Sequence, residues 1–116
     1  MLFQKGELAR IFIGESDKHE GTPLFEWILK KAKEEGLAGA TVIRGIEGFG
    51  THNEIHTAKI LRLSSDMPMV IEIVDTNDKI KRFLTLIDNV IKEGLVTLED
   101  LRFRLYRNSK KSSIKI

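Results

Sequence analysis

The sequence predicts one α+β domain with the element order strand, helix, strand, strand, helix, strand. Two observations support this prediction. Two segments repeat their apolar residues at helical spacing, and four segments are rich in the β-branched and aromatic residues that favour strands. The chain has 116 residues, of which 41% are apolar, so it is long enough for one domain with one packed core.

The first strand is predicted over residues 8–13, closed by Gly14. After a polar loop, a helix is expected to begin with Thr22 as its N-cap and Pro23 in its first helical position. Gly36 is expected to end this helix. Its apolar stripe consists of Leu24, Phe25, Ile28, Leu29 and Ala32.

The middle of the chain supplies two strands around a glycine-rich turn. Residues 41–43 begin the second strand, which runs into Gly45, Gly48 and Gly50. Residues 69–74 give the strongest strand pattern in the sequence. Their almost continuous apolar run predicts a central strand that is buried on both faces.

The second helix is expected to begin at residues 75–77 and to end at Gly94. Its buried stripe is predicted to be Ile80, Phe83, Leu84, Ile87 and Val90. The last strand is predicted over residues 101–106, where strand alternation separates two sets of side chains. Arg102 and Arg104 point away from the core in this prediction. The core set is Leu101, Phe103 and Leu105.

Two right-handed crossovers then give a βαββαβ split-βαβ sandwich of the ferredoxin-like kind, an antiparallel sheet with both helices on one face. This domain is expected to comprise residues 1–106, followed by a basic C-terminal tail, 107–116. The other face of the sheet must be polar or be covered by another subunit. We expect an oligomer, because four predicted strand residues are too apolar for exposure. They are Ile11, Ile13, Val70 and Val74.

Composition excludes several classes of protein. The absence of Cys rules out disulfides and thiolate metal sites and fits a reducing cytoplasm. The net charge is +2, but the tail carries four positive and no negative residues, so the body carries −2, which argues against a nucleic-acid binder. No apolar run approaches the ~20 residues of a membrane span, and the N-terminus lacks a signal-peptide pattern. We expect a cytoplasmic protein.

Five motifs between Gly14 and Asp75 are specific as a set, and the pattern to which they belong extends from roughly Leu8 to Tyr106. They are residues 14–15 (GE), 21–24 (GTPL), 39–50 (GATVIRGIEGFG), 55–57 (IHT) and 66–75 (DMPMVIEIVD). Together they resemble the uncharacterised PII-like family, domain-of-unknown-function family 190. That family is similar to the PII signal-transduction proteins, ferredoxin-like trimers that bind adenine nucleotides between subunits and present a long loop to partner proteins.

The resemblance implies a non-enzymatic, regulatory homotrimer that binds a small anionic ligand and switches a loop at about 51–62, which contacts a regulated protein partner. Gly48-Phe49-Gly50 is similar to the Gly-Phe-Gly at the base of the PII loop, and Arg102 and Arg104 are similar to the paired arginines of the last PII strand. Residues 93–100 lack the Gly-Asp-Gly-Lys phosphate motif of PII. This difference favours AMP or ADP over a triphosphate.

Each candidate residue has a structural alternative. Gly45, Gly48 and Gly50 permit close backbone approach to an anion, or simply kink a strand as it enters a turn. Arg44 binds a phosphate or carboxylate of the ligand, or forms a cross-strand salt bridge, for example with Glu72. For the Arg102 and Arg104 pair, the choice is between a ligand phosphate and neighbouring carboxylates. The expected ligand-binding residues are Arg44, Gly45, Gly48, Phe49, Gly50, His52, His56, Arg102 and Arg104.

His52 and His56 lie four residues apart, which suits a metal only on a helix. Their segment has no helical pattern, so we expect them to contact ligand or partner from a loop. The acidic loop around Glu15, Asp17 and Glu20 is interpreted as solvated rather than catalytic or Mg²⁺-binding. The alternative function is a metal-binding protein similar to the divalent-cation-tolerance family. A small phosphate-ester enzyme using Arg44 and Glu15 is a third hypothesis, without a recognised catalytic set.

Overall fold

The computed structural model of the chain describes residues 2–48, 56–57 and 67–107. Within them, eight strands and two helices follow one another. The strands are β1 (Gln4–Gly14), β2 (Lys18–His19), β3 (Thr22–Pro23), β4 (Gly39–Arg44), β5 (Glu47–Gly48), β6 (His56–Thr57), β7 (Pro68–Asp75) and β8 (Leu95–Phe103). The helices are α1 (Leu24–Glu34) and α2 (Asn77–Ile87). The predicted basic tail lies outside the described residues except for Arg107.

The main sheet has four strands in the order β4-β7-β1-β8, and every neighbouring pair is antiparallel. The two central strands, β7 and β1, are therefore joined to the edge strands by the crossovers that contain α1 and α2. This topology confirms the predicted ferredoxin-like βαββαβ sandwich. No helix in the described parts of the chain is long and apolar enough to cross a membrane.

The core lies between the main sheet and the two helices. Alternate residues of β1 and β7 point towards the helices, and Ile11 pairs directly with Ile71 at its centre, both fully buried. The sheet contributes Ala9, Ile11, Ile13, Met69, Ile71 and Ile73 to this core. The helices contribute Leu24, Ile28, Ala32, Ile80, Phe83 and Ile87.

The open face, which is the side of the main sheet away from the helices, carries the other alternate residues. Cross-strand partners share a face, so an apolar row of Ile43, Val70, Phe12 and Leu95 crosses all four strands. Strand β7 is fully buried on one face only within the chain, because its alternate residues stay partly exposed on the open face. The predicted burial on both faces is therefore wrong for a single chain.

Two members of the apolar set predicted for the open face lie elsewhere. Ile11 and Ile13 point into the helix-covered core, because their position in the alternation of β1 places them beside Ile71 and Met69. Val70 and Val74 do lie on the open face, as do Leu8 and Phe12.

Strand β8 begins and ends earlier than the predicted 101–106 segment. Its register pairs Leu98 with Ala9 of the core, so Leu101 and Phe103 lie on the open face rather than in the helix-covered core. Arg102, which pairs with Lys5, lies on the helix side of the sheet, so its predicted orientation away from that side is wrong. The Phe103 ring covers Gly6: a Cβ there would lie 2.5 Å from the ring and 2.5 Å from the Asp75 carbonyl oxygen.

The helix boundaries correct the predicted start of α1 and the predicted end of α2, and they confirm the predicted end of α1. Thr22 and Pro23 pair with β2 as a short strand, so α1 begins at Leu24 without a side-chain cap. The predicted stop at Gly36 is confirmed, since its φ of +73° follows the end of α1. Helix α2 ends at Ile87, well before Gly94.

Gly94 has a different role from the predicted helix stop. Its φ is +149°, a backbone conformation that favours glycine, and a Cβ there would clash with the carbonyl oxygen of Phe12. The glycine therefore allows the chain to enter β8 close against the end of β1.

Candidate functional site

The candidate site lies at the end of the main sheet where β1 and β4 finish and β7 begins. Two backbone hydrogen bonds join these segments. The Glu15 N–H donates to the Met67 carbonyl at 2.7 Å, and the Gly45 N–H donates to the Pro68 carbonyl at 2.7 Å. Residues far apart in sequence are thereby fixed beside one another.

Arg44, the last residue of β4, forms a two-point ion pair across this end of the sheet. Its Nε donates to Glu15 Oε2 at 3.2 Å and its Nη2 donates to Glu15 Oε1 at 3.1 Å. The Arg44 side chain is 56% exposed and that of Glu15 is 26% exposed. The suggested partner Glu72 is wrong, because it pairs with Arg10 instead.

The acidic loop is more ordered than its interpretation as a solvated loop implies. The Asp17 carboxylate accepts a hydrogen bond from the Gly14 N–H at 3.0 Å, which closes the turn after β1. Glu20 lies 3.1 Å from His19, whose ring meets Trp27 edge to face. Of the three acidic residues, Glu15 is the one that pairs with Arg44 in the candidate site.

Gly45 and Gly48 both lie against Pro68. A Cβ on Gly45 would come within 2.8 Å of the proline ring, and one on Gly48 within 3.2 Å. The absence of side chains at these two positions therefore allows the chain to pack against Pro68, independently of any ligand contact. Gly48 pairs with His56 in the small β5–β6 ribbon. Because Gly48 lies against Pro68, this ribbon begins at the same end of the main sheet as the Arg44–Glu15 pair.

Several predicted site residues lie outside the described residues. Phe49, Gly50, His52 and most of the 51–62 loop are among them, and His56 is described only through its backbone pairing with Gly48. Among residues 2–48, 56–57 and 67–107, no group of three or more His, Asp or Glu side chains is placed to hold a metal ion.

Arg102 and Arg104 lie at the opposite end of the sheet. Arg102 pairs with Lys5, whereas Arg44 is level with Ile13 through Met69. At about 3.3 Å per residue, Lys5 and Ile13 are about 26 Å apart along the strand, so one chain does not bring these arginines to Arg44.

The two arginines also lack a carboxylate partner among the described residues. The Arg104 guanidinium instead lies over the Tyr106 ring, 5.3 Å from its centroid. Neutralisation by carboxylates of the same chain, one of the two alternatives, is therefore not seen there.

One ion cluster was missing from the sequence predictions. On the open face, Arg10 Nε lies 2.9 Å from Glu72 Oε2, and Arg10 Nη1 lies 3.2 Å from Glu99 Oε2. The hydrogen bond that Arg10 donates to Glu72 raises the pKa of Arg10 above its usual value. No local pattern indicates this cluster, because it depends on the register of three strands.

Helix α2 and β8 also border a groove that the sequence did not indicate. The groove has a volume of about 710 Å³. Its lining is mixed, with acidic, amide and apolar groups: Glu7, Asn77, Asp78, Lys81, Leu84, Thr85, Asp88, Asn89 and Leu98.

Comparison with known proteins shows what the chain resembles. Residues 6–103 match the family DUF190, described as "Uncharacterized ACR". A UPF0166 protein of Aquifex aeolicus is 47% identical over 97 residues, which cover 84% of this chain and 91% of that protein. A UPF0166 protein of Methanocaldococcus jannaschii is 39% identical over 97 residues, covering 83% and 89%.

Solved structures with the same fold include CPII, a nitrogen regulatory PII-like protein from Thiomonas intermedia K12. CPII bound to ADP and bicarbonate has a TM-score of 0.65 at 16% identity, over 87% of this chain and 90% of that chain. CPII bound to ADP, AMP and bicarbonate has a TM-score of 0.67 at 14% identity, with the same coverage. The chain therefore belongs to the family DUF190, as its motifs predicted, and it shares the fold of the PII-like protein CPII.

Proposed function

We propose that this chain is a PII-like regulatory protein that binds a small anionic ligand, such as AMP or ADP, in clefts between copies of itself. The observation that carries the proposal is the shared fold with CPII, whose structures contain ADP with bicarbonate, or ADP and AMP with bicarbonate. The binding role is a non-enzymatic one, and the protein acts in the cytoplasm.

The open face supports assembly into a homotrimer. Its apolar row ends in Ile43, which is 44% exposed, and Leu95, which is 58% exposed. Water-exposed apolar area of this kind favours association, since burying it is worth about 25 cal/mol per Å². In a closed ring of three copies, each open face would be covered by the equivalent surface of a neighbouring copy.

The two ends of the sheet supply the two walls of the proposed cleft. One copy contributes the end built around Arg44, and its neighbour contributes Arg102 and Arg104 from the opposite end. The 26 Å separation estimated above within one chain makes a second copy necessary for this arrangement. The first copy's wall comprises Arg44, Gly45, Gly48, Phe49, Gly50, His52 and His56.

The proposed switch is the loop at about 51–62. Its base is the β5–β6 ribbon, which is anchored where Gly48 packs on Pro68. A ligand that contacts this base binds one loop arrangement more tightly than another, and that difference is what shifts a population. A regulated protein partner then recognises the loop in one arrangement.

Calorimetric titration with AMP, ADP and ATP tests the proposal, together with native mass spectrometry for the trimer. Arg104→Ala is expected to weaken nucleotide binding by about 1.5–3 kcal/mol, the scale of a hydrogen bond to a charged group, without dissociating the trimer. Arg82→Ala on α2 is the matched control and should bind as wild type does.

Two results would contradict the proposal. A monomer at micromolar concentration removes the inter-subunit cleft. If the wild-type trimer binds no nucleotide, a nucleotide is not the ligand. If the Arg102→Ala and Arg104→Ala variants both bind as tightly as wild type, these arginines do not belong to the site.

A further inference from the structure

The carboxylate of Glu15 occupies the Nε and Nη2 edge of the Arg44 guanidinium. This edge is one of the two edges of a guanidinium that can pair two oxygens of a phosphate or carboxylate at once. Glu15 therefore makes the same kind of contact with Arg44 that an anionic ligand would make. We propose that Glu15 competes with anionic ligands for the Arg44 guanidinium. A ligand that binds there must displace the Glu15 carboxylate or bind beside it, so Glu15 sets how tightly the site binds anions.

The two partners of this ion pair differ in how exposed their side chains are. The Glu15 N–H is tied to the Met67 carbonyl, and the next turn is closed by the contacts of Asp17 with Gly14. Arg44 is more than twice as exposed as Glu15, at 56% against 26%. The guanidinium can therefore swing towards a ligand while the carboxylate stays in its loop.

Arg10 provides an internal comparison. Its partner Glu72 lies directly opposite on the neighbouring strand, and both side chains are about one-third exposed. That pair fills the middle of a sheet face, where cross-strand charge pairs stabilise strand pairing. The Arg44 pair instead joins a loop to a strand end beside the ribbon that carries the 51–62 loop, so its opening leaves the sheet ladder intact.

This inference rests on the proposed function, because it assumes that anions bind at Arg44. Its consequence is that the Glu15 carboxylate, rather than a weakly bound ligand, pairs with Arg44. A small anion with only Arg44 to contact gains little by displacing Glu15. A nucleotide with further contacts in the cleft can do so.

Calorimetric titration with ADP and with inorganic phosphate tests the role of Glu15. Glu15→Gln and Glu15→Ala are expected to bind ADP about 3- to 10-fold more tightly than wild type, the range expected when one partly exposed opposing charge is removed. Glu20→Gln removes a charge from the same loop without touching Arg44, and it should leave the affinity unchanged. The gain should vanish when Arg44→Ala is added to Glu15→Ala.

The outcomes separate the two proposals. Binding that depends on Arg44 but is unchanged or weakened in both Glu15 variants would overturn the competitor role, since Glu15 would then only orient Arg44. Failure of wild type and both Glu15 variants to bind either probe would overturn the proposed function as well. Tight binding by the Glu15 variants alone would support the competitor role most strongly.

Discussion

The two faces of the main sheet differ in how completely one chain buries them. On the helix-covered face, Ile11 and Ile71 meet directly and both are fully buried. On the open face, the neighbouring pair Phe12 and Val70 is only partly buried, although the side chains are as apolar. Alternation along a strand sends similar residues to both sides, but helices cover only one of them.

This difference shows that one chain covers the apolar residues of one sheet face and leaves those of the other face partly exposed. The helix-covered face contributes to stability within the chain. The open face combines its apolar row with the charged cluster of Arg10, Glu72 and Glu99. The following predictions test the contrast, from the largest expected effect on the chain's own stability to the smallest.

Ile71→Ala and Val70→Ala compare the two faces at adjacent positions. Ile71→Ala is expected to lower the free energy of unfolding by about 2–5 kcal/mol, because it leaves a cavity in a filled core. Urea titration at several protein concentrations measures this loss, which should be the same at each of them. Val70→Ala should cost less in dilute protein and more as concentration rises, since assembly stabilises folded chains by mass action. Equal, concentration-independent losses would contradict the contrast.

Ile43→Asp and Leu95→Asp place a charge at either end of the apolar row. Both positions are exposed within one chain, so the fold should lose less than about 1 kcal/mol, as surface substitutions usually do. Sedimentation equilibrium should nevertheless show loss of the proposed trimer, because an unpaired charge would be buried between copies. Leu86→Asp on α2, exposed to a similar degree, is the control that should assemble normally.

Glu99→Gln is expected to have the smallest effect. The Glu99 side chain is 59% exposed, so water and salt already screen its pairing with Arg10. Urea titration of dilute protein should give a midpoint within experimental error of wild type. A large shift would indicate that the open face contributes to the stability of a single chain, which would weaken the contrast.

The fold was predictable because its signals are local. The apolar stripe of α1 and the β-branched run of β7 fall within short windows, and the order of these elements leaves few topologies. Gly36 could also be assigned, since a glycine after an amphipathic helix commonly adopts a positive φ.

The failures arose where neighbouring strands decide the outcome. Nothing near Leu101 or Phe103 in sequence shows which face they occupy, because the register with β1 determines it. Thr22 resembles an N-cap until its pairing with His19 is known. The same applies to Arg44: it was chosen for its position beside Gly45, but its partner Glu15 could be identified only once β1 and β4 were seen to end together.

Gly6 has a consequence for how this family can change during evolution. A side chain at this position would meet both the Phe103 ring and the backbone carbonyl of Asp75. Replacing Phe103 with a smaller residue removes the first obstacle but leaves the second, because a carbonyl is present whatever residue occupies position 75. The two positions are therefore expected to vary asymmetrically among relatives, with glycine retained at position 6 even in lineages that have lost the aromatic ring.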